Sequence, residues 1–442
     1  MISARAILPL GAVLGAAIAV LAGPARAATE IDFFFPVPVQ GKLATEMQRL
    51  VDVFNKTHPD IAVTAVYTGT YDDTNLKTRA ATKAGHPPAL ALMSANFIRE
   101  YAINDEAIPL DDLIRNSGSK PTDFMAQFWP ALRDNAMEAG HVFGAPFQNS
   151  TPILYYSVDA FRQAGLDPDK PPQTWAEWVE DAKKLTRRDG ANVTRWGVEM
   201  VGTTDTLGWL LSGFTMSNGG QYFNTAYGGE VYYNYPTTLG AVQFLDDLVH
   251  KHRVMPEGVT DANAVANAFF TGRAAMIVNS TGALGFVRDN MKTPFHVAFV
   301  PRAMTNAVPI GGGSLIIPKG NSPERQQAAW TLIGYLTSPE VAGSWSRFTG
   351  YFAPRIAAYD LPEMKTYIAG NPDAKVALDQ LAFAHPWFAT YNTVAVRKAI
   401  EDQVQAVLSG RIKPAEATAN AQKAADALLR PYVERTALNP GE

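Results

Sequence analysis

Apolar segments with strand spacing and with helix spacing alternate along this chain, and that order restricts its fold more than any other feature. Residues 31–35 form a short apolar run, residues 42–57 place apolar side chains at helical spacing, and residues 61–67 alternate and are rich in β-branched residues. A second apolar strand at 89–93 and a helix-like segment at 97–104 continue the order. This repetition predicts an α/β fold with a mainly parallel sheet flanked by helices.

The chain has 442 residues, too many for one hydrophobic core, so we expect two lobes. The strand and helix pattern restarts at residue 151, and no low-complexity linker separates the halves. We therefore expect strands that cross between the lobes and act as hinges. The predicted division is residues 28–150 with 302–340 for the N-terminal lobe and 151–301 with 341–442 for the C-terminal lobe.

Capping signals predict where two later helices begin. Thr174-Trp-Ala-Glu177 has the spacing of a capping box, in which the threonine hydroxyl and the glutamate carboxylate each accept a backbone N–H of the other residue. Pro414 is well placed at the first position of a long terminal helix, and we expect Pro431 to end or kink that helix.

The first 27 residues predict a cleaved signal peptide: Arg5 precedes an apolar run, and Ala25-Arg26-Ala27 supplies the small residues of a cleavage site. Cleavage removes two arginines and no acid, so the formal net charge of −4 becomes −6. That balance favours neither nucleic acid nor an anionic membrane surface as a partner. With no cysteine in the sequence there is no atom for a disulfide, a thiolate metal site or a lipid anchor, so we expect a monomer free in the periplasm.

Motifs typical of enzymes are absent from the sequence, including those of zinc proteases, serine hydrolases and nucleotide-binding proteins. His250 and His252 are spaced to point to different sides of a helix, and we expect no metal and no cofactor. The adjacent acids Asp72 and Asp73 fit a solvated face better than a glycosidase pair, because hydrolysis needs carboxyl groups on both sides of the scissile bond. A secreted hydrolase is kept as the remote alternative.

Two further patterns are compatible with a ligand cleft. The glycines of Gly311-Gly-Gly-Ser314 either form a tight turn between strands or leave backbone N–H groups open to a ligand. Aromatic side chains with a polar tip suit polyols and sugars, although most aromatic residues lie in cores. Those in or next to predicted loops are Tyr67, Tyr71, Trp209, Trp345, Tyr351 and Trp387.

Several segments resemble the extracellular solute-binding proteins of bacterial ABC importers, the group that includes maltose-binding protein. They are most similar to the periplasmic sn-glycerol-3-phosphate-binding proteins. The segments are 67–72, 84–89, 145–156, 159–175, 269–276, 311–314 and 348–351. The resemblance implies a two-lobed periplasmic binding protein fold that closes on a ligand in the cleft between the lobes and delivers it to a membrane permease, without catalysis.

The same resemblance implies six ligand-contacting residues. They are Tyr71, Ser150, Ser280, Gly312, Tyr351 and Arg397. Four hydroxyls, a glycine N–H and one guanidinium suit a phosphate monoester. For Arg397 the alternative is an ion pair with Glu401, four residues further along a helix.

At one end of the expected site the sequence departs from this family. Ala95 stands where a glutamate for the glycerol hydroxyls is expected, and Phe35 and Pro36 replace a Trp-His pair. Asn96 or Asp73 could substitute for the missing carboxylate, or a larger ligand could use the room. The predicted ligand is therefore sn-glycerol-3-phosphate or a glycerophosphodiester, with a neutral sugar or oligosaccharide as the alternative.

Overall fold

Residues 27–37 and 41–437 are described by the computed structural model. The predicted signal peptide, apart from Ala27, lies outside the described residues. Within the two described ranges, every helix is too short or too polar to traverse a lipid bilayer.

The strands, numbered in chain order, alternate with helices through most of the chain. They are β1 (Thr29–Pro36), β2 (Ile61–Gly69), β3 (Leu90–Ser94), β4 (Met137–Glu138), β5 (His141–Val142), β6 (Ala145–Ser150), β7 (Pro152–Ser157), β8 (Arg187–Asp189), β9 (Asn192–Met200), β10 (Ala274–Ser280), β11 (Phe295–Ala298), β12 (Val308–Pro309), β13 (Gly311–Ile316) and β14 (Ala384–His385).

The α-helices are numbered in the same way, and short 3₁₀ or π turns extend several of them. The α-helices are α1 (Leu43–Thr57), α2 (Tyr71–Lys83), α3 (Ile98–Ile103), α4 (Asp111–Asn116), α5 (Pro121–Ala126), α6 (Pro130–Arg133), α7 (Val158–Gln163), α8 (Trp175–Leu185), α9 (Thr206–Ser217), α10 (Pro236–Asp246), α11 (Ala262–Phe270), α12 (Leu284–Asn290), α13 (Pro323–Leu336), α14 (Pro339–Thr349), α15 (Pro362–Gly370), α16 (Pro372–Asp379), α17 (Thr393–Leu408) and α18 (Pro414–Thr436). The 3₁₀ turns are Ala95–Phe97, Asp134–Ala136, Thr281–Ala283, Ile356–Asp360 and Gln380–Phe383, and the π turn is Asp247–Lys251.

The first five-stranded sheet has the order β2-β1-β3-β13-β6. Strands β2 and β3 run parallel to β1, as the sequence predicts, but β13 runs antiparallel to both β3 and β6. The sheet is therefore mixed, and the expectation of a mainly parallel sheet is wrong for its second half. The reason is topological, because β6 leads out of this sheet and β13 returns to it from the other sheet.

The second five-stranded sheet has the order β11-β7-β10-β9-β8, and only β9 and β10 pair in parallel. The chain passes from the first sheet to the second at Thr151, between β6 and β7. Each sheet has its own buried apolar core, one containing Phe33 and Phe54 and the other containing Trp178 and Phe214. The molecule thus consists of two lobes joined by short crossing segments.

The residue boundaries predicted for the lobes stay a prediction. Trp345 and Tyr351 lie in the segment predicted for the C-terminal lobe, yet both pack into the apolar core of the first sheet. Trp345 lies within α14 and Tyr351 directly follows it, and the preceding helix α13 packs against β1.

Both helices for which the sequence has a capping signal begin where predicted, but the second does not end at its internal proline. At α8 the predicted capping box is present, with Thr174 Oγ1 accepting the Glu177 N–H at 3.2 Å and Glu177 Oε2 accepting the Thr174 N–H at 3.1 Å. Helix α18 begins at Pro414 as predicted but continues through Pro431 to Thr436. Tyr432 stacks on Tyr391, and this contact holds the turn that follows the proline.

Candidate ligand-binding site

A cavity of about 730 Å³, counting its open mouth, lies between the two lobes. The first lobe contributes residues from α2, β6 and β13, and the second contributes residues from α9, β10 and α11. Its lining consists of Tyr71, Ser150, Val201, Asp205, Thr206, Trp209, Ala262, Asn279, Ser280, Ala283, Phe286, Gly311, Gly312, Tyr351 and Trp387. Hydroxyl groups, aromatic rings and one carboxylate therefore face the same space.

Five of the six residues predicted from the sequence line this cavity. They are Tyr71, Ser150, Ser280, Gly312 and Tyr351. The sixth, Arg397, is buried with 1% of its surface exposed and is not among the lining residues. The structure thus brings the hydroxyls and the glycine together and places the guanidinium behind the wall of the cavity.

Tyr71 owes its position to the start of α2. The Thr70 side chain accepts the Asp73 N–H at 3.1 Å, and Asp73 Oδ2 accepts the Thr70 N–H at 2.8 Å. This capping box fixes the first helical turn, where Tyr71 is the first residue. The Tyr71 hydroxyl accepts a hydrogen bond from Gln148 Nε2 at 3.1 Å, and burial raises its pKa far above the ordinary value. The phenol is therefore neutral and keeps its own proton to donate.

Two further hydroxyls of the cavity, those of Ser280 and Tyr351, are also available as donors. Ser280 Oγ accepts the Gly282 N–H at 3.0 Å at the start of a 3₁₀ turn, which leaves the serine proton free to donate. The Tyr351 ring lies flat on Gly282, where an added Cβ would come within 2.5 Å of the ring. Burial raises the pKa of Tyr351 well above its ordinary value, so this phenol is neutral as well.

The glycine segment belongs to strand β13 and is not a tight turn. An added Cβ at Gly311 would lie 2.7 Å from the Trp209 indole, and one at Gly313 would lie 3.0 Å from the Tyr71 ring. Gly312 has φ +78°, and a Cβ there would overlap the Gln148 carbonyl oxygen at 1.8 Å. Gly311 and Gly313 therefore let the backbone lie directly against aromatic rings of the cavity, and Gly312 lets β13 lie close to the backbone of β6.

Arg397 binds three carboxylates. Its Nη2 donates to Asp72 Oδ2 at 2.7 Å, its Nη1 to Asp205 Oδ1 at 2.8 Å, and its Nε to Glu401 Oε2 at 3.4 Å. The ion pair with Glu401, which is the alternative interpretation of the sequence, is thus present together with two others. Three carboxylates around one guanidinium leave a formal excess of two negative charges when all are ionised.

Burial changes the protonation of this cluster. Burial raises the pKa of Asp205 to about 7, although the Arg397 charge acts in the opposite direction. It also raises the pKa of Glu401, against the Arg397 charge and the backbone N–H groups of Gly208 and Asp205. Burial alone would lower the pKa of Arg397, but the carboxylates, with Asp205 first among them, outweigh it and raise that pKa. Arg397 is therefore always charged, whereas Asp205 titrates near neutral pH.

Asp205 is the principal site residue that the sequence interpretation missed. It precedes α9 with φ +73°, a conformation uncommon outside glycine, and its N–H donates to Glu401 Oε1 at 2.7 Å. Its side chain is 29% exposed, on the wall of the cavity. An aspartate directly before the apolar run of α9 is a sequence signal for the start of a helix. That signal does not predict an ion pair between Asp205 and Arg397.

The neighbouring acids Asp72 and Asp73 have different roles, so the interpretation of both as a solvated face is wrong for one of them. Asp73 is exposed and caps α2, whereas Asp72 pairs with Arg397. Asp72 is the second residue of α2, so the side chain leaves the helix in a different direction from that of Asp73.

The candidate aromatic residues divide into cavity and core. Trp209 and Trp387 line the cavity with ring centroids 6.5 Å apart at 64°, and in the described part of the chain neither indole N–H has a hydrogen-bond partner. Trp345 instead stacks on Phe147 in the core, and Tyr67 is 57% exposed at the surface. Both indole N–H groups are therefore buried in the cavity wall without a hydrogen-bond partner among the described residues.

The positions that depart from the family pattern contribute nothing to the cavity wall. Ala95, Phe35 and Asn96 are buried and do not line the cavity, and Asp73 is used as a cap. Neither suggested substitute for the missing glutamate therefore reaches the cavity. The carboxylate that does reach it, Asp205, comes from the other lobe.

Comparison with known proteins gives related sequences along most of the chain. The family model described as "Bacterial extracellular solute-binding protein" matches residues 49–373. The sn-glycerol-3-phosphate-binding periplasmic protein UgpB of Pectobacterium atrosepticum is 29% identical over 95% of this chain and 96% of its own length. The protein of the same name from Escherichia coli K12 is 28% identical over 94% and 96%.

Solved structures with different ligands share the architecture. UgpB from Mycobacterium tuberculosis in complex with glycerophosphocholine has a TM-score of 0.80 and 26% identity, covering 92% of this chain and 100% of that chain. Maltose-bound MalE3 of T. maritima has a TM-score of 0.79 and 25% identity, covering 91% and 100%.

Proposed function

Because the chain belongs to the bacterial extracellular solute-binding proteins and has their two-lobed periplasmic binding protein fold, we propose that it binds a glycerol phosphate compound for an ABC importer. The ligand is sn-glycerol-3-phosphate or a glycerophosphodiester, bound between the lobes. The closed protein then delivers it to the permease subunits in the membrane. The place of binding is the periplasm, where a monomer released from its signal peptide diffuses to the permease.

The observation that carries this proposal is the convergence of Tyr71, Ser150, Ser280, Gly312 and Tyr351 on one cavity between the lobes. Their hydroxyl and N–H groups are hydrogen-bond donors, and burial keeps both phenols neutral. Several convergent neutral donors can bind the oxygens of a phosphate group without adding charge of their own. The names and the ligand of the UgpB proteins described above support the same ligand class.

Thermal unfolding with a panel of ligands tests this proposal. The protein is first unfolded, washed free of ligand and refolded, and its Tm is then measured with sn-glycerol-3-phosphate, glycerophosphocholine or maltose. A ligand that binds only the native state raises the Tm in proportion to the logarithm of its concentration. We expect a rise with at least one phosphate compound, and a rise with maltose alone would contradict the proposal.

A neutral sugar is the second candidate ligand, and one feature of the site favours it. The Nε, Nη1 and Nη2 atoms of Arg397 each already donate to a carboxylate. The positive charge of Arg397 is therefore compensated before a ligand enters. Trp209 and Trp387 meanwhile contribute apolar ring surface to the cavity wall, which suits sugar rings. The same Tm panel separates the two candidates. Release of hydrolysis products from any ligand would instead favour the remote alternative of an enzyme.

A further inference from the structure

We propose that Asp205 binds the phosphate group of the ligand in its protonated form, so that capture of the ligand takes up a proton from solution. This inference rests on the proposed function and deepens it by naming a further ligand-binding residue and the pH dependence that it gives to the site. Asp205 lines the interlobe cavity, and its carboxylate belongs to the ion cluster around Arg397.

The first argument is the excess of negative charge beside the cavity. The carboxylates of Asp72, Asp205 and Glu401 surround a single guanidinium, and two members of the cluster, Arg397 and Glu401, are almost completely buried. A phosphate group in the same cavity would add further negative charge, and like charges repel strongly in a poorly solvated site. Protonation of one carboxylate relieves this repulsion, because it removes one of the negative charges.

The second argument identifies the carboxylate that takes up the proton. Glu401 Oε1 accepts the N–H groups of Asp205 and Gly208 at 2.7 and 3.0 Å. Glu401 Oε2 accepts from Arg397 at 3.4 Å, so both oxygens are engaged. Asp72 is not among the residues that line the cavity. Asp205 Oδ1 accepts from Arg397 at 2.8 Å, whereas Oδ2 has no hydrogen bond within residues 27–37 and 41–437. Asp205 is therefore the carboxylate with an oxygen left to present a proton to a ligand.

The third argument is the position of Asp205 relative to the neutral donor Tyr71 on the first lobe. Burial is the main cause of the raised pKa of Tyr71, the hydrogen bond from Gln148 acts against it, and the negative charge of Asp205 raises it further. The phenol and the carboxylate therefore lie close together in one cavity. A phosphate oxygen bound by Tyr71 would be repelled by an ionised Asp205, but a protonated Asp205 can donate a hydrogen bond to the same phosphate group.

The backbone holds Asp205 in place for this contact. Its φ of +73° is uncommon for residues other than glycine, and its N–H donates to Glu401 Oε1 at 2.7 Å. In this conformation the side chain reaches both Arg397 and the cavity, where 29% of its surface is exposed. The position of the carboxyl group is thus fixed before a ligand arrives.

The direction of the pH dependence follows from the surroundings of Asp205. Burial raises its pKa to about 7 against the charge of Arg397, while Asp72 and Glu401 act in the same direction as burial. Together with Tyr71, these are the titratable and charged groups that face Asp205 in the described ranges. Near pH 7 about half of the ligand-free molecules hold the proton. A bound anion raises the pKa of Asp205 further, so binding takes up a proton and the affinity falls as the pH rises through about 7.

Calorimetric titration with glycerophosphoglycerol tests this inference. Its phosphodiester keeps one negative charge between pH 6 and pH 8, so a proton exchanged on binding belongs to the protein. Titrations at pH 7 in PIPES and in imidazole, two buffers with different heats of ionisation, give the number of protons taken up. We expect about half a proton per ligand at pH 7 and ~tenfold weaker affinity at pH 8 than at pH 6.

Two other results would have different meanings. Binding of glycerophosphoglycerol without proton uptake, and with equal affinity at pH 6 and pH 8, would overturn the role of Asp205 and leave the proposed function standing. Absence of binding of both glycerophosphoglycerol and sn-glycerol-3-phosphate at pH 6 would overturn the proposed function and this inference with it.

The variant Asp205→Asn assigns the proton to this residue. Asparagine tolerates a positive φ, can accept from Arg397 and can donate an N–H to a phosphate oxygen, but it carries no charge at any pH. The variant should take up no proton, and at pH 8 it should bind glycerophosphoglycerol on the order of tenfold more tightly than the parent. Proton uptake equal to that of the parent, or weaker binding than the parent at pH 8, would overturn the proposal.

The matched control is Asp105→Asn. Asp105 is also an aspartate at positive φ, +57°, and it pairs with a cation, Lys319, outside the cavity. This variant removes the same charge from a similar backbone position, so it should match the parent in proton uptake and in affinity at both pH values. Loss of proton uptake in Asp105→Asn as well would overturn the assignment of the proton to Asp205.

Discussion

Arg397 on α17 donates a hydrogen bond to Asp72 on α2 across the cleft, with 2.7 Å between Nη2 and Oδ2. Helix α2 packs against the strands of the first sheet, and α17 packs against α9 and α18 in the second lobe. The ion pair therefore joins the two lobes directly beside the cavity. It also means that Arg397 contributes to the position of the lobes as well as to the charge of the site.

Removal of the Asp72 carboxylate should make the ligand-free protein more open. In Asp72→Ala the contact between α2 and α17 is lost, so the radius of gyration measured by small-angle scattering should increase and should return to the parent value with saturating ligand. Asp112→Ala is the control, because Asp112 is also the second residue of its helix and, within residues 27–37 and 41–437, pairs only with nearby Arg115. Identical scattering from the parent and Asp72→Ala would show that the ion pair does not hold the lobes together.

Replacement of Arg397 by methionine should destabilise the protein strongly. The variant leaves Glu401 buried and Asp205 partly buried without their counterion, which costs about 3–5 kcal/mol in the free energy of unfolding, as measured with urea. A double variant with Glu401→Leu should recover much of this loss, since it removes one of the stranded charges. The control is Lys398→Met, also on α17, which breaks an exposed ion pair with Asp402 and should change stability by less than about 1 kcal/mol. A loss for Arg397→Met no larger than that of the control would contradict the described cluster.

Gly311 and Gly334 should respond in opposite ways to alanine. At Gly311 the new methyl group would lie 2.7 Å from the Trp209 indole, so the ring must move and ligand affinity should fall. Overpacking of this kind costs about 1–3 kcal/mol in unfolding free energy. Gly334 lies exposed within α13 with open space around it, and alanine there should stabilise the protein by about 0.5–1 kcal/mol without changing affinity. Chemical denaturation and titration of both variants check this contrast.

Stability should depend on pH through Asp205. Its pKa is raised from 3.8 to about 7 in the folded protein, so the folded state holds a proton more tightly than the unfolded state does. The group therefore favours folding at low pH, and this contribution is lost as the pH rises from about 4 through about 7. Glu401, whose pKa is also raised, acts in the same direction, while Arg397 stays charged and opposes both shifts. Asp72 is the other charged group that faces Asp205 across Arg397.

Urea unfolding at pH 5 and pH 8 measures this effect. The loss of stability between the two values should be larger in the parent than in Asp205→Asn, which cannot titrate at this position. Comparison with the variant is needed because burial also raises the pKa of Glu199 to about 7. The same loss in the parent and in Asp205→Asn would mean that Asp205 does not titrate in this range.

The order of elements could be predicted from the sequence because each one has a local signal. The spacing of apolar residues predicts a strand at 31–35 and a helix at 42–57, which the structure has at 29–36 and 43–57, and the Thr174 capping box marks the start of α8. Strand direction has no such signal, so the antiparallel β13 was not predicted. A proline inside a helix predicts that the helix ends or bends there, but α18 continues past Pro431 to Thr436. The stacking of Tyr432 on Tyr391, a contact between residues that are distant in sequence, stabilises this last part of the helix.

The lining of the cavity could be predicted only where a resemblance named its residues. Five of the six predicted residues line the cavity, but Arg397 is surrounded by Asp72 and Asp205, which lie 325 and 192 residues away in the sequence. No local pattern can reveal an ion pair between such positions. The glycines of β13 were noticed as candidates for close approach, yet their partners, the rings of Trp209 and Tyr71, are visible only in three dimensions.

A calorimetric titration at pH 7 with glycerophosphocholine and with maltose tests most directly whether the interlobe cavity binds a glycerol phosphate compound. The refolded, ligand-free protein should give saturable heat for one molecule of glycerophosphocholine per chain and no heat with maltose. Saturable binding of maltose with no response to glycerophosphocholine would contradict the account.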